Sequence, residues 1–145
     1  MAIINLINSY SDNYDHGHLN NWFDLFTGDA RLTVCMGNAD PVTVSGEGLK
    51  EMLTNFRRDL VDNQGKLPRH ILSNVSVKAQ SANTAEVTAY MTYVPLVRAS
   101  LYTATGQDAV RITGTAFYRF RVAKGATDGV WRINEYTISF DQTHV

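Results

Sequence analysis

One histidine in this chain stands where a strand begins. Leu67 to Ala79 reads Leu-Pro-Arg-His-Ile-Leu-Ser-Asn-Val-Ser-Val-Lys-Ala. Pro68 cannot continue the helical pattern before it, and the β-branched run after it predicts a strand with His70 at its mouth. The two-residue period places His70, Leu72 and Asn74 on one face and Ile71, Ser73, Val75 and Val77 on the other. An imidazole, with an ordinary pKa of about 6.5, serves as acid or base near neutrality. Asp15 follows Tyr14 at the end of a helical stretch, where a carboxylate opposes the helix dipole by a few tenths to about 1 kcal/mol. It either caps the next helix across His16-Gly17 or does chemistry. Tyr10, Tyr14 and Tyr90 are candidate phenol donors. Glu135 shares strand parity with Trp131 and Ile133 and faces inward if they do; it faces solvent if Tyr136, Ile138 and Phe140 form the buried side. Arg98 and Arg111 either receive an anionic substrate or lie on exposed strand faces. His16 and His18 flank a glycine with no third ligand nearby and read as solvated loop residues, so no metal site is expected.

The elements that must position these groups follow from periodicity. Ile3, Leu6, Ile7, Tyr10 and Tyr14 form one helical stripe over Ala2 to Asp15. His18 to Phe26 predicts a short second helix with Leu19, Trp22, Phe23 and Phe26 on one side, Trp22 and Phe26 serving as core or as ligand-stacking groups. Asp29 to Met36 and Val42 to Ser45 predict a hairpin across a Gly-Asn-Ala-Asp-Pro turn. Leu49, Met52, Leu53, Phe56, Leu60 and Val61 return to helical spacing through Asp62, with Arg57-Arg58 on its outer, solvated face. The remaining strands are expected over Ile71 to Ala79, Ala85 to Val94, Leu96 to Thr103, Ala109 to Val122 and Val130 to Phe140. Their turn residues favour antiparallel pairing, and Pro95 marks an edge, bulge or break.

The 145 residues make one domain, 1–145, long enough to bury a core without cross-links. Thirteen Lys+Arg against fourteen Asp+Glu leave a net charge of −1, which argues against nucleic acid or an anionic membrane as partner. The single cysteine, Cys35, excludes an internal disulfide and reads as a small buried hydrophobe. No apolar run approaches transmembrane length and no secretory leader is visible, so a cytoplasmic location is expected. No phosphate-cradling or dinucleotide motif is present, and no cofactor is expected.

Element order and three short motifs together resemble the cone-shaped α+β family that includes SnoaL-like polyketide cyclases, nuclear transport factor 2, scytalone dehydratase, ketosteroid isomerase and ring-hydroxylating dioxygenase β subunits. The motifs are Tyr14-Asp15, then Trp22-Phe23-Asp24-Leu25-Phe26-Thr27-Gly28-Asp29-Ala30, then Arg69-His70-Ile71-Leu72-Ser73-Asn74. The resemblance implies a strongly curved, mostly antiparallel sheet wrapped around three helices from the N-terminal half, a cystatin-like roll. It also implies that Asp15 and His70 meet inside the cone, the carboxylate orienting the imidazole, with Tyr14 beside them as in scytalone dehydratase. That enzyme has a second pocket histidine on a later strand; here none lies between His70 and His144, and Gly114-Thr115-Ala116 stands where Ser and Asn are expected.

Three functions fit these residues. The first is a cofactor-independent lyase or isomerase, of dehydratase or cyclase type, acting on a hydrophobic oxygenated small molecule. The second is a non-catalytic scaffold subunit like a dioxygenase β chain, and the third a small-molecule-binding module. An Asp15–His70 bond that merely ties helix to sheet is the structural alternative to catalysis. A closed apolar cavity is expected, lined by Trp22, Phe26, Phe56, Tyr90 and the last two strands, with Tyr10 and Glu135 also touching substrate. Helices cover only one side of the sheet, so a homodimer is expected to cover the other, burying Val75, Val77, Phe117 or Phe120, whichever parity is external.

Overall fold

The computed structural model describes residues 2–97 and 114–141; Arg98, Arg111 and His144 lie outside the described residues, as does most of the strand expected at Leu96 to Thr103. The chain runs α1 (Ala2–His16), α2 (Leu19–Phe23), β1 (Phe26–Met36), β2 (Val42–Ser45), α3 (Gly46–Arg58), a π-helical turn (Asp59–Asn63), β3 (Lys66–Leu67), β4 (His70–Gln80), β5 (Thr84–Tyr93), β6 (Leu96–Val97), β7 (Gly114–Lys124) and β8 (Trp131–Phe140). This is the expected α+β architecture, with all three helices in the N-terminal half. The main sheet has the order β2-β1-β8-β7-β5-β4, and β3 and β6 form a separate two-stranded ribbon. Every pair in the main sheet is antiparallel except β1 with β8.

The stripe of α1 packs as its spacing dictates: Ile3, Leu6, Ile7 and Tyr10 are buried against the inner face of the sheet, where Val87, Phe120, Val122, Ile133 and Tyr136 are at most 1% exposed. The second helix is shorter than expected. The Leu25 carbonyl accepts the Ile133 N–H at 2.8 Å, and this tie to β8 draws the chain into β1 from Phe26 onward.

Two irregularities reset strand parity. In β4 the pairing with β5 shifts between Ser73 and Ser76 and again between Val77 and Ala79, and Asn74 takes a positive φ of 51°, the left-handed conformation that Asn tolerates. Leu72 before the first bulge and Val75 and Val77 after it therefore all pack against the core. The expectation that Leu72 opposes Val75 and Val77 is corrected by that extra residue. In β8 a shift opposite Arg121 and Val122 makes Asn134 the extra residue, so Ile133 and Tyr136 are both fully buried. Glu135 turns outward and its carboxylate pairs with Arg31 at 3.0 Å.

The expected closed cavity is not what the described residues form around Tyr10. Trp22 (0% exposed) and Phe26 (5%) are packed into an aromatic cluster with Tyr10, Tyr118, Phe120 and Tyr136; Trp22 and Phe26 lie with ring centroids 4.7 Å apart, and Phe120 stacks on Tyr136 at 5.5 Å. They are core. Tyr90 alternates with the inward-facing Ala89 and Met91 and so points to the outer face, half exposed, where it meets Phe117 edge-on at 5.5 Å. Phe56 lies on the same stripe as Leu49, but the stripe runs past the surface that covers Leu49 and leaves Phe56 61% exposed. On β7, Phe120 faces in and Phe117 out. Among the described residues one open groove lies on the outer face by Asn74, Lys78, Tyr90 and Phe117, and another beside α1 by Asn5, Asn8, Asp12 and Leu72. No helix among the described residues is long and apolar enough to cross a membrane.

Candidate active site

Asp15 ends the buried stripe of α1, and His70 opens β4 directly after Pro68; the two side chains meet. The Asp15 carboxylate spends both oxygens on one residue. Oδ1 lies 2.5 Å from His70 Nδ1, and Oδ2 accepts the His70 backbone N–H at 2.6 Å. The side chain of Asp15 is 3% exposed and that of His70 14%, so the carboxylate is enclosed while the imidazole retains an edge to solvent. An ionised carboxylate only accepts, so Nδ1 carries the proton of that bond, and the lone pair of the neutral ring sits on Nε2. The bidentate clasp fixes the ring's tautomer and its orientation together. Asp15 is thus a partner of β4 rather than a cap for α2, whose first residues take no side-chain cap.

The tyrosines divide. The Tyr10 hydroxyl donates to the Tyr136 hydroxyl at 3.1 Å inside the aromatic core, away from the dyad. The Tyr14 hydroxyl donates to the Leu53 carbonyl of α3 at 2.8 Å; its ring stands edge-on to His70 with centroids 5.6 Å apart, and burial raises its pKa well above the ordinary phenol value, with the nearby Tyr93 adding to the rise. Tyr14 therefore walls the imidazole while its hydroxyl is committed to α3. Tyr90 lies on the opposite face of the sheet from His70.

A tyrosine that periodicity did not single out stands closer. Tyr93 is the cross-strand partner of His70, its ring centroid 4.9 Å from the imidazole. Burial, and then the negative charge of Asp15, raise its pKa, so its phenol remains a proton donor at neutral pH. The same row continues to Gly114, and the next row of the inner face runs Leu72, Met91, Ala116, Phe140, Met36. Phe140 and Met36, at the far end of that row, are 37% and 61% exposed. Met91 and Ala116 are at most 2% exposed, so the apolar row next to His70 is covered and its most exposed surface lies at the far end, on Phe140 and Met36.

Arg57, expected in solvent, is half-buried: its guanidinium reaches the end of α1 and donates to the carbonyls of Tyr14 (2.8 Å) and Asp15 (3.1 Å). His16 and His18 stack with centroids 6.0 Å apart, and His16 turns back to Asp12; no group of three metal-ligating side chains occurs among the described residues.

The sequence profile of the SnoaL-like domain matches residues 1–137. No curated protein matches the sequence. Among solved structures, a protein of unknown function with a cystatin-like fold from Nostoc punctiforme superposes with a TM-score of 0.71 at 21% identity, covering 98% of this chain and 90% of its own. A candidate scytalone dehydratase from Novosphingobium aromaticivorans gives 0.69 at 19% identity, covering 99% and 87%. The β subunit of a candidate aromatic-ring-hydroxylating dioxygenase from the same organism gives 0.68 at 19%, covering 99% and 90%. At such identities these likenesses establish the fold, which both enzymes and subunits of larger assemblies use.

Proposed function

Because the chain belongs to the SnoaL-like domain family, whose fold serves several chemistries, we propose from its own residues that it is a cofactor-independent lyase or isomerase of dehydratase or cyclase type. The observation that carries this reading is the Asp15 clasp, which leaves His70 with one oriented, partly exposed imidazole edge. In this reading Nε2 takes a proton from a carbon next to a carbonyl, Asp15 stabilises the imidazolium that forms, and the proton is returned to the product or to a departing hydroxyl. A phenol polarises the substrate oxygen; the ring of Tyr93, 4.9 Å from the imidazole, stands nearer to it than that of Tyr14 at 5.6 Å. The substrate is a hydrophobic oxygenated small molecule, in keeping with the apolar row Leu72, Met91, Ala116 and Phe140 that runs from the dyad's end of the sheet and favours ring or polyketide carbon over charged groups. Deuterium exchange from solvent into the α-carbon of a panel of cyclic and polyketide ketones tests it. Exchange that disappears in His70→Ala supports the reading; exchange at the same rate in both proteins, or in neither, sinks it.

One observation favours a second reading. The interior around Tyr10 is filled by aromatic side chains, as suits a scaffold subunit with no need of space within. On either reading we propose that the outer sheet face meets a second copy of this chain with two-fold symmetry. Tyr90 and Phe117 form an apolar centre there, flanked by Arg31–Glu135 and Arg119–Glu86 pairs whose mixed signs are self-complementary under a two-fold axis. Light scattering at micromolar concentration should give twice the mass of one chain, and a single-chain mass would refute the dimer.

A further inference from the structure

The end of α1 is closed from outside itself. Gly17, with φ +76°, sits just past the helix, its N–H on the Tyr14 carbonyl at 3.2 Å and the His18 N–H on the Asn13 carbonyl at 2.8 Å. This is the left-handed glycine termination that satisfies two of the last carbonyls. The Asp15 carbonyl is served by Arg57 Nη2, and Arg57 Nε adds a second bond to Tyr14. The guanidinium lies flat against Gly17: a Cβ there would stand 2.9 Å from its central carbon. A cation at this place also offsets the unfavourable field that the helix C-terminus exerts on the Asp15 carboxylate.

We propose that Arg57 is the positioning residue of the Asp15–His70 dyad. Arg57 touches neither reacting nitrogen nor substrate; it holds the Tyr14–Asp15 backbone to α3. The same α3 segment receives the Tyr14 hydroxyl at Leu53, so three bonds from one helix fix the two residues that wall and orient the imidazole. Loss of the guanidinium leaves the Asp15 carbonyl without its side-chain donor and lets the final turn of α1 fray, which slackens the clasp on His70. Two variants separate what the guanidinium supplies. Arg57→Gln removes the cation and the fork, whereas Arg57→Lys keeps the cation and removes the fork.

The role as a positioning device for catalysis rests on the acid–base reading, but its test needs no substrate. In 15N-labelled protein, the His70 ring should show a protonated, low-field Nδ1–H from the bond to Asp15. Arg57→Gln and Arg57→Lys should each shift or exchange-broaden that resonance while circular dichroism stays folded. An unmoved resonance in a folded variant of either kind overturns the proposal and leaves Arg57 a packing residue. If Arg57→Gln does not fold, Arg57→Lys, which keeps the cation without the fork, decides; where both fold, its change should be the smaller. Where an exchanging ketone has been found, both variants should lose up to about 100-fold in rate, as misplaced catalytic groups do, with KM unchanged. A moved resonance in a protein that exchanges no ketone would retain the clamp and remove the enzyme.

Discussion

The inner face of the sheet is one continuous surface with two unlike ends. Under α1, Tyr10, Phe120 and Tyr136 interlock with no side chain more than 5% exposed, and the one polar contact among them is between two hydroxyls. Toward the start of β4 the same face carries a clasped imidazole and a half-buried phenol. The difference lies in how the end of α1 is used. Where the helix presents Ile3, Leu6, Ile7 and Tyr10 it fills the concavity; where it ends, the last residue of the stripe is a carboxylate, which needs hydrogen-bond partners rather than volume. Aromatic packing is concentrated at one end and the hydrogen-bonded dyad at the other.

That division is open to attack by mutation. The largest stability loss should come from Phe120→Ala, about 3–5 kcal/mol by chemical denaturation, because a buried ring is replaced by a cavity in a tightly packed cluster. It should leave the His70 ring resonances where they are; a matching change at both ends would show that the face behaves as one unit. At the dyad the order reverses. His70→Ala and Asp15→Asn should each lower any exchange rate by on the order of 100-fold or more while the fold persists, and a global unfolding of Asp15→Asn would make the clasp architectural.

Alkali should strike the packed end. Burial raises the pKa of Tyr10, Tyr118 and Tyr136 well above the ordinary 10.0. The folded protein therefore keeps protons that the unfolded chain releases. Their contribution to stability is complete below about pH 10 and is lost as pH rises toward the folded values. Denaturation followed from pH 8 to 11.5 should show a flat region and then a steep fall, and Tyr136→Phe should soften the fall. The same variant removes the hydroxyl pair at a cost of about 0.5–1.5 kcal/mol near neutrality. The smallest effect is expected at Glu135→Gln, within about 1 kcal/mol, since its pair with Arg31 is on the outer face. A larger loss would mean that the outer face is buried by another chain.

Much of this was legible in the residues. The stripe of α1 and the turn to a strand at Pro68 rest on periodicity and on a proline, which are local signals, whereas the meeting of Asp15 with His70 was expected from the family resemblance that three short motifs carry. The side of the sheet on which Glu135, Val75 and Val77 fall was not legible, because Asn134 and Asn74 each add one residue and alternation alone does not reveal an insertion. Tyr93 was hidden for the same reason: extending the Gln80–Ala85 pairing without shifts would set Pro95 opposite His70, and the two bulges of β4 bring Tyr93 there instead. Arg57 escaped because its partners are main-chain carbonyls, which leave no complementary residue type to find.

The parallel pairing of β1 with β8 bears on how the chain is made. Thr33 lies beside Thr137 and Val34 beside Ile138, so a strand formed in the first quarter of the sequence waits for nearly the last residues before its ladder closes. During synthesis β4, β5 and β7 can zip up as successive neighbours, whereas the β1–β2 hairpin has no central partner until β8 has left the ribosome. Such long-separation contacts slow folding and lengthen the interval in which an unpaired edge is exposed. Of the main sheet's strands, β1 is therefore the one whose second edge waits longest for its partner.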